Sequence, residues 1–255
     1  MAQKSRPVAL RKAIQIEGNP VWNEILLSLP TPECDIVFSQ FTFVKLRTKE
    51  IIEESEQPIK YAYFVNSGLA SVLNATADGK TVEVGLTGKE GCTGLPLAVG
   101  LKTSASQIIC QVEGSAFRIP APSLVKLFKQ CANLEKKMQQ YGLVMAMQGA
   151  QIAACNRLHD IDERLARWLL MCQDRIGTNV IPLTHEFVAH MLGTRRSSVT
   201  VAAGLLNKAG LITYNRGALK IENRERLEDA ACECYEIMRQ RTATWRKEGS
   251  DGYVR

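Results

Sequence analysis

The stretch Leu183–Tyr214 (LTHEFVAHMLGTRRSSVTVAAGLLNKAGLITY) constrains this chain more than any other. It encodes two short helices joined by a tight turn and followed at once by a strand. Thr184 is a helix N-cap, because its hydroxyl can accept a hydrogen bond from a first-turn N–H that has no partner inside the helix. Glu186 sits at the positive end of that helix's dipole. Phe187, Val188, Met191 and Leu192 share one apolar face. Gly193 supplies the left-handed conformation that ends the helix and turns the chain. A second helix starts at Thr194 or Arg195. Its Val199, Ala202, Ala203 and Leu206 are spaced to face inward, which leaves Arg195, Arg196, Ser197, Ser198 and Thr200 outside. A short helix, a glycine turn and a second helix with a cationic start form the pattern of a helix-turn-helix, whose second helix enters a DNA major groove. A helical hairpin with a solvated charged end is the competing reading of either helix alone, so the rest of the chain decides.

At 255 residues and 45% hydrophobic content the chain can build one large core or two ordinary ones. A net charge of +6 suits a nucleic-acid partner. No apolar run is long enough to span a membrane, and the N-terminal MAQKSRPVALRKAIQ is basic without the apolar core of a signal peptide. A cytoplasmic protein with no membrane partner is expected. The 8 cysteines (Cys34, Cys92, Cys110, Cys131, Cys155, Cys172, Cys232 and Cys234) are scattered and include no C-x-x-C pair. They read as reduced, buried small side chains, with no metal site and no cofactor. Cys232 and Cys234 are close in sequence, but a continuous helix would point them to different sides.

Taken in order, the chain shows no core pattern up to Gly18. Asn19–Leu29 reads as a short helix with Trp22, Ile25, Leu26 and Leu29 on one side, stopped by Pro30 and Pro32. From Phe41 to Ile119 the pattern is of short strands: 41–47, 50–52, 61–65, 69–74, 81–86, 107–112 and 116–119. Turn residues separate them, including Asn66-Ser67-Gly68, Asp78-Gly79 and Glu113-Gly114. Asp78-Gly79 is the strongest hairpin signal. Such spacing implies an antiparallel barrel or roll. The glycine-containing insertion 88–106 between two of its strands is a natural place for a ligand. Ser123 then starts a long helical stretch to about Leu158, with Leu124, Leu127, Phe128, Cys131, Leu134, Met138, Tyr141, Val144, Met145 and Gln148 on its apolar side. Its length suggests contact with a second chain. Asp160 begins another helix that buries Leu165, Trp168, Leu169 and Cys172 and ends at Gly177. After the opening stretch, 211–214 and 218–221 pair around Asn215-Arg216-Gly217 as a wing with a cationic tip. An amphipathic helix follows from Glu222.

A β-roll with a loop insertion, a long helix and a winged helix-turn-helix, in that order, resembles the Crp/Fnr family of bacterial transcription regulators. The segments that carry the resemblance are 63–68 (YFVNSG), 78–85 (DGKTVEVG), 88–91 (GKEG), 162–166 (DERLA) and 183–212. The resemblance implies an α+β fold: an N-terminal antiparallel β-roll (a double-stranded β-helix, jelly-roll-like) over residues 19–122, a dimerisation helix over 123–157, a winged helix-turn-helix over 158–224, and a C-terminal helix and tail over 225–255. It also implies a homodimer paired through the long helix on double-stranded operator DNA, with RNA polymerase as a further partner. Positions matching the family's base-facing residues are Arg196, Ser197 and Val201. Ser197 stands where well-known members carry glutamate, and Val201 where they carry a second arginine, so the operator is expected to differ. Arg196 has the geometry for a guanine edge, and Val201 for a thymine methyl. Thr184, Ser198, Thr200, Asn215 and Arg216 are expected at phosphates, and Arg195 in either role.

The same resemblance places an effector loop at Gly91, Cys92, Gly94, Lys102, Thr103 and Ser104. Cyclic-nucleotide-binding members hold the ribose with a glutamate and the cyclic phosphate with an arginine. Here Cys92 takes the glutamate position, Thr103 or Ser104 the arginine region, and Lys102 is the nearby cation. A classical cyclic-AMP site is therefore not expected, and the effector is unknown. No N-terminal cysteine cluster precedes Cys34, and His159, His185 and His190 all lie outside the roll. No nucleophile–base pair or P-loop argues for an enzyme. The alternative function is a ligand-binding module whose C-terminal domain docks a protein partner.

Overall fold

A computed structural model describes residues 14–215 and 217–250. The roll begins with a small pair, β1 (Gln15–Ile16) and β2 (Asn19–Pro20), then α1 (Glu24–Leu27) and α2 (Thr31–Phe38). The helix expected over Asn19–Leu29 is thus much shorter. Asn23 starts it by accepting the Leu26 N–H, and Asn23 Nδ2 donates to the carbonyls of Val65 and Gly91. Trp22 is exposed rather than on the buried side. The prolines expected to stop the chain instead open α2, where a first-turn proline loses no hydrogen bond.

Strands β3 (Thr42–Leu46), β4 (Ile51–Glu53), β5 (Tyr61–Ala75), β6 (Thr81–Thr87) and β7 (Gln107–Pro120) form one antiparallel sheet in the order β3-β7-β5-β6, with β4 also on β7. A 3-10 turn, Leu95–Val99, lies in the insertion before β7. Two expected turns are absent. Asn66-Ser67-Gly68 and Glu113-Gly114 lie within the long strands β5 and β7, at bulges where the register shifts. Gly68 and Gly114 face each other there, and a Cβ on Gly114 would lie 2.1 Å from the Ser67 carbonyl oxygen. These glycines permit a close backbone approach that bends the sheet. Asn66 accepts the N–H groups of Trp22 and Asn23.

The long helical stretch is also divided, into α3 (Ala121–Phe128) and α4 (Ala132–Leu158). The Glu33 carboxylate of α2 accepts the N–H groups of Asn133 and Leu134 and so caps α4 from a distance. On α4, Leu134, Met138, Tyr141, Val144, Gln148, Ile152 and Cys155 are buried within their own chain. Helix α5 (Ile161–Ile176) opens with a capping box of Asp160 and Glu163. The short strand β8 (Val180–Ile181), the helices α6 (His185–Met191) and α7 (Arg196–Lys208), and the strands β9 (Ile212–Asn215) and β10 (Ala218–Ile221) follow; β8, β10 and β9 form one small sheet. The C-terminal helix is broken into α8 (Arg224–Asp229) and α9 (Cys234–Ser250). One continuous helix could not turn Leu227, Cys232, Cys234 and Tyr235 all inward, and the break buries all four. The expectation that Cys232 and Cys234 point apart is corrected accordingly.

One apolar cluster runs from Leu69, Leu73 and Leu86 of the roll through α5 to α6 and α7. Inside this junction Glu83 of β6 accepts the Trp168 indole N–H at 2.7 Å, while its second oxygen has no hydrogen-bond partner among the described residues. Burial pushes the Glu83 carboxyl up to about 7, against the pull of Ser71, Trp168, Arg167 and Arg175. A carboxyl raised in the fold costs stability once the unfolded chain ionises. That cost is absent below its ordinary 4.5, grows as pH rises to about 7, and then stays constant. It amounts to ~3 kcal/mol at pH 8. Glu83→Gln should therefore melt above the parent at pH 8 and converge on it near pH 4.5. Parallel melting curves across that range would count against this account.

Candidate nucleic-acid interface

The reading head is built as the residues dictate. Thr184 Oγ1 accepts the Phe187 N–H at 3.2 Å. Gly193 takes a left-handed φ of 59°, and a Cβ there would come within 3.0 Å of Val82 on the roll. Arg195 stands at the N-cap of α7 without a side-chain cap. Val199, Ala202, Ala203 and Leu206 are buried, while Arg196, Ser197, Thr200 and Val201 are exposed. Val201 at 64% and Leu205 at 54% exposure make an apolar strip, one turn apart, on the open side of the helix.

Arg196 lies 3.9 Å from Glu186, both largely in solvent. Such a pair is worth little, so the guanidinium is held only loosely. Thr200 has its hydroxyl engaged, donating to the Arg196 carbonyl at 3.0 Å and lying 3.1 Å from His185 Nδ1. Arg195 and Ser198 border a cleft of about 1400 Å³ against the β5–β6 hairpin, whose tip is Asp78-Gly79. Asn215 ends β9 and is exposed. Arg216 lies outside the described residues.

Two residues to which the sequence reading gives no role belong to this surface. The His185 ring tilts over Tyr214 with centroids 4.2 Å apart and so ties α6 to the wing. Burial, reinforced by Arg196, holds the His185 pKa below its ordinary value. Nothing local in the sequence joins residues 29 positions apart.

The effector loop is closed by its own chain. Gly91 and Cys92 are buried, and a Cβ on Gly91 would lie 2.0 Å from the Tyr141 ring. Burial, with Glu53 nearby, pushes the Cys92 thiol far up, so it is a neutral packing group. Gly94, left-handed at the start of the 3-10 turn, donates its N–H to Glu53 Oε2 at 3.0 Å. The Ser104 hydroxyl donates to the Ser106 carbonyl at 3.1 Å and lies near enough to pull the Glu53 pKa down, but burial nonetheless holds that carboxyl above its ordinary pKa. Lys102 and Thr103 are exposed, and their backbones pair with the segment around Pro58 and Ile59. The loop thus brings Gly94 and Ser104 together around an internal carboxylate, with no cation facing it from Lys102. Elsewhere the fold gathers Cys155, His159, Cys232 and Cys234, their donor atoms all within 4.8 Å of one another.

A cyclic nucleotide-binding domain matches residues 43–131 and a Crp-like helix-turn-helix domain residues 163–230, between them more than half the chain. The chain belongs to the Crp/Fnr family of transcription regulators. That is a family of regulators, with no feature pointing to an enzyme. Solved structures agree in fold. FixK2 from Bradyrhizobium japonicum is 18% identical with a TM-score of 0.65, the match covering 75% of this chain and 98% of that one. The c-di-GMP-responsive global regulator CLP of Xanthomonas campestris is 14% identical with a TM-score of 0.63, covering 76% and 100%. A CRP-family transcriptional regulator from Thermus thermophilus is 18% identical at 0.58, covering 74% and 96%. No characterised protein matches by sequence. No described helix is long and apolar enough to cross a membrane.

Because the buried Glu53 carboxylate already takes the Gly94 N–H of the loop, this Crp/Fnr chain should not bind cyclic AMP or cyclic GMP. A ligand at a hundred times its Kd would stabilise the fold by about 2.7 kcal/mol, which differential scanning fluorimetry reads as several degrees. Millimolar cyclic nucleotide should leave the Tm unchanged, and a shift of that size would place a nucleotide in the roll.

Proposed function

We propose that this regulator is a homodimer that binds a near-palindromic operator through α7, with the roll retained as a structural platform or as the sensor of an effector other than a cyclic nucleotide. The observation that carries the reading is the division of α7. One side is fixed in the core by Val199, Ala202, Ala203 and Leu206, while Arg196, Ser197 and Val201 stand free at its N-terminal half. Arg196 would fork onto guanine O6 and N7, and Val201 would meet a thymine methyl. Thr184, Ser198, Thr200, Asn215 and Arg216 would position the head on phosphates, with Arg195 in either role.

Dimerisation is supported by the outer side of α4. Gln139, Leu143, Ala146, Ala150, Ala153 and Arg157 recur at alternating spacings of four and three, and all are exposed. That is the spacing of a coiled-coil seam, and alanines let two helix axes approach closely. A two-fold axis along this seam would set the two recognition helices about 34 Å apart, one DNA turn. The seam lies opposite the apolar side that the sequence pattern first suggests for pairing. Such a protein would work in the cytoplasm beside RNA polymerase.

The test is selection of bound sequences from random duplexes, followed by gel shift. Arg196→Ala should weaken the selected site by about 1–3 kcal/mol and flatten preference at one base pair in each half-site. Unchanged affinity and preference would remove Arg196 from the interface. Leu143→Glu should give monomers in sedimentation and lose operator binding, whereas a dimer that persists would put the seam elsewhere. Absence of any shift at low salt would favour a C-terminal domain that docks a protein.

A further inference from the structure

The junction between α4 and α5 carries a group of side chains that DNA binding does not use. Cys155 lies in the last turn of α4, and His159 is the residue that ends it. Cys232 and Cys234 come from the break between α8 and α9, more than seventy residues away. Cys155 Sγ and Cys232 Sγ are 3.4 Å apart, and Cys234 Sγ is 3.6 Å from His159 Nδ1. All four donor atoms fall within 4.8 Å of one another. The three cysteines are buried, and the histidine is half-buried.

We infer that these four residues form a closed Cys3His site for one zinc ion. Zinc with bonds of about 2.3 Å to sulfur and 2.0–2.1 Å to nitrogen sets its tetrahedral ligands about 3.6–3.8 Å apart. The two separations of 3.4 and 3.6 Å lie within a few tenths of an ångström of that edge. A polynuclear iron–sulfur core needs irons and sulfides between its ligands, so this spacing selects a single ion. Soft thiolates with one imidazole favour zinc over magnesium or calcium, which take oxygen ligands. Four protein donors leave no open position, so the role is structural.

Neighbouring groups hold the ligands in the orientation that binding needs. With Nδ1 turned to the sulfurs, His159 Nε2 meets the Glu233 carboxylate at 3.1–3.2 Å, the carboxylate–histidine arrangement that fixes the tautomer of a metal-bound imidazole. Gln151 Nε2 donates to Cys234 Sγ at 3.1 Å. Three thiolates and a neutral imidazole around a divalent ion carry one net negative charge. Arg164 and Arg167 lie within electrostatic reach of the sulfurs, and Arg167 is almost wholly buried with an Nε that has no hydrogen-bond partner among the described residues. Binding exchanges the three thiol protons for the ion, with no electron transferred.

Such an ion would pin α9 to the hinge at His159–Asp160, where α4 passes into the DNA-binding domain. Arg164, beside the sulfurs, donates to the Leu192 carbonyl at the turn of the reading head. Occupancy of the site would therefore bear on how the head is held.

The test uses the full chain, reduced and produced with zinc in the medium. Elemental analysis should find one zinc per chain, and exchange for Co2+ should produce sulfur-to-cobalt absorption with the visible bands of a tetrahedral ion. Cys232→Ser and His159→Ala should lose the zinc, and Cys34→Ser should keep it. Glu233→Gln, an exposed change that leaves all four ligands, should weaken zinc about 10–100-fold in chelator competition. A folded, fully reduced parent that holds no zinc and shows no sulfur-to-cobalt band would overturn the assignment. So would a Cys155–Cys232 disulfide in the chain as isolated, or full zinc occupancy in both ligand variants.

Discussion

Glu90 and Arg175 meet at 2.8 Å, almost out of solvent, where the roll touches the DNA-binding domain. The pair is set from both sides. The Gly88 N–H donates to the same Glu90 oxygen, and Arg175 Nη1 donates to the Met171 carbonyl one turn back on α5. Leaving one member of such a buried pair alone typically costs about 3–5 kcal/mol, so loop and helix hold each other in place. Beside it the Tyr141 ring fills the space that a side chain at Gly91 would need, and the Tyr141 hydroxyl donates to Thr87. The insertion, α4 and α5 therefore meet at one small region. Displacement of the loop has to be felt by both helices.

At this junction the two domains share one apolar cluster, while the roll keeps a second cluster of its own around Phe64 and Phe117. The middle of helix α5 is buried nearly all round: Leu165 to Gln173 are all out of solvent, Arg167 and Gln173 included. A helix buried nearly all round must be packed on several sides. Here the sides are β5 and β6 of the roll, α7 of the reading head, and α8 with α9. The head's orientation is thereby tied to the roll, and the chemistry of the roll's loop has been turned inward. Glu53 takes the Gly94 N–H and the Ser106 carbonyl takes the Ser104 hydroxyl, so both donors are satisfied by the protein itself.

The helix-turn-helix was legible because its evidence is local. Thr184, Gly193 and the spacing of Val199, Ala202, Ala203 and Leu206 each act within a few residues. The roll was legible in class, but its strands were read too short. Asn66-Ser67-Gly68 and Glu113-Gly114 have turn chemistry, and only the opposing strand shows that they serve bulges. The end of α3 was hidden for a related reason, since the carboxylate that caps α4 is a hundred residues away on α2. Cys155, Cys232 and Cys234 read as scattered thiols, and His159 as a histidine outside the roll, because their nearness depends on a helix break. No glycine or proline marks that break. The burial of Leu227, Cys232, Cys234 and Tyr235 together imposes it.

The placement of the reading head carries this coupling one step further. Arg195 and Ser198 line the cleft beneath the β5–β6 hairpin, while Arg196, Ser197 and Val201 face open solvent. The N-terminal end of α7 is thus divided between a side covered by the roll and a side available to a partner. Gly193 is the contact that sets the division, for it lets the turn lie against Val82 where a larger residue would press on the hairpin. Arg195 stays exposed at the edge of that cleft while Ser198 is half-buried in it, so the guanidinium is open to solvent although its backbone lies against the hairpin side.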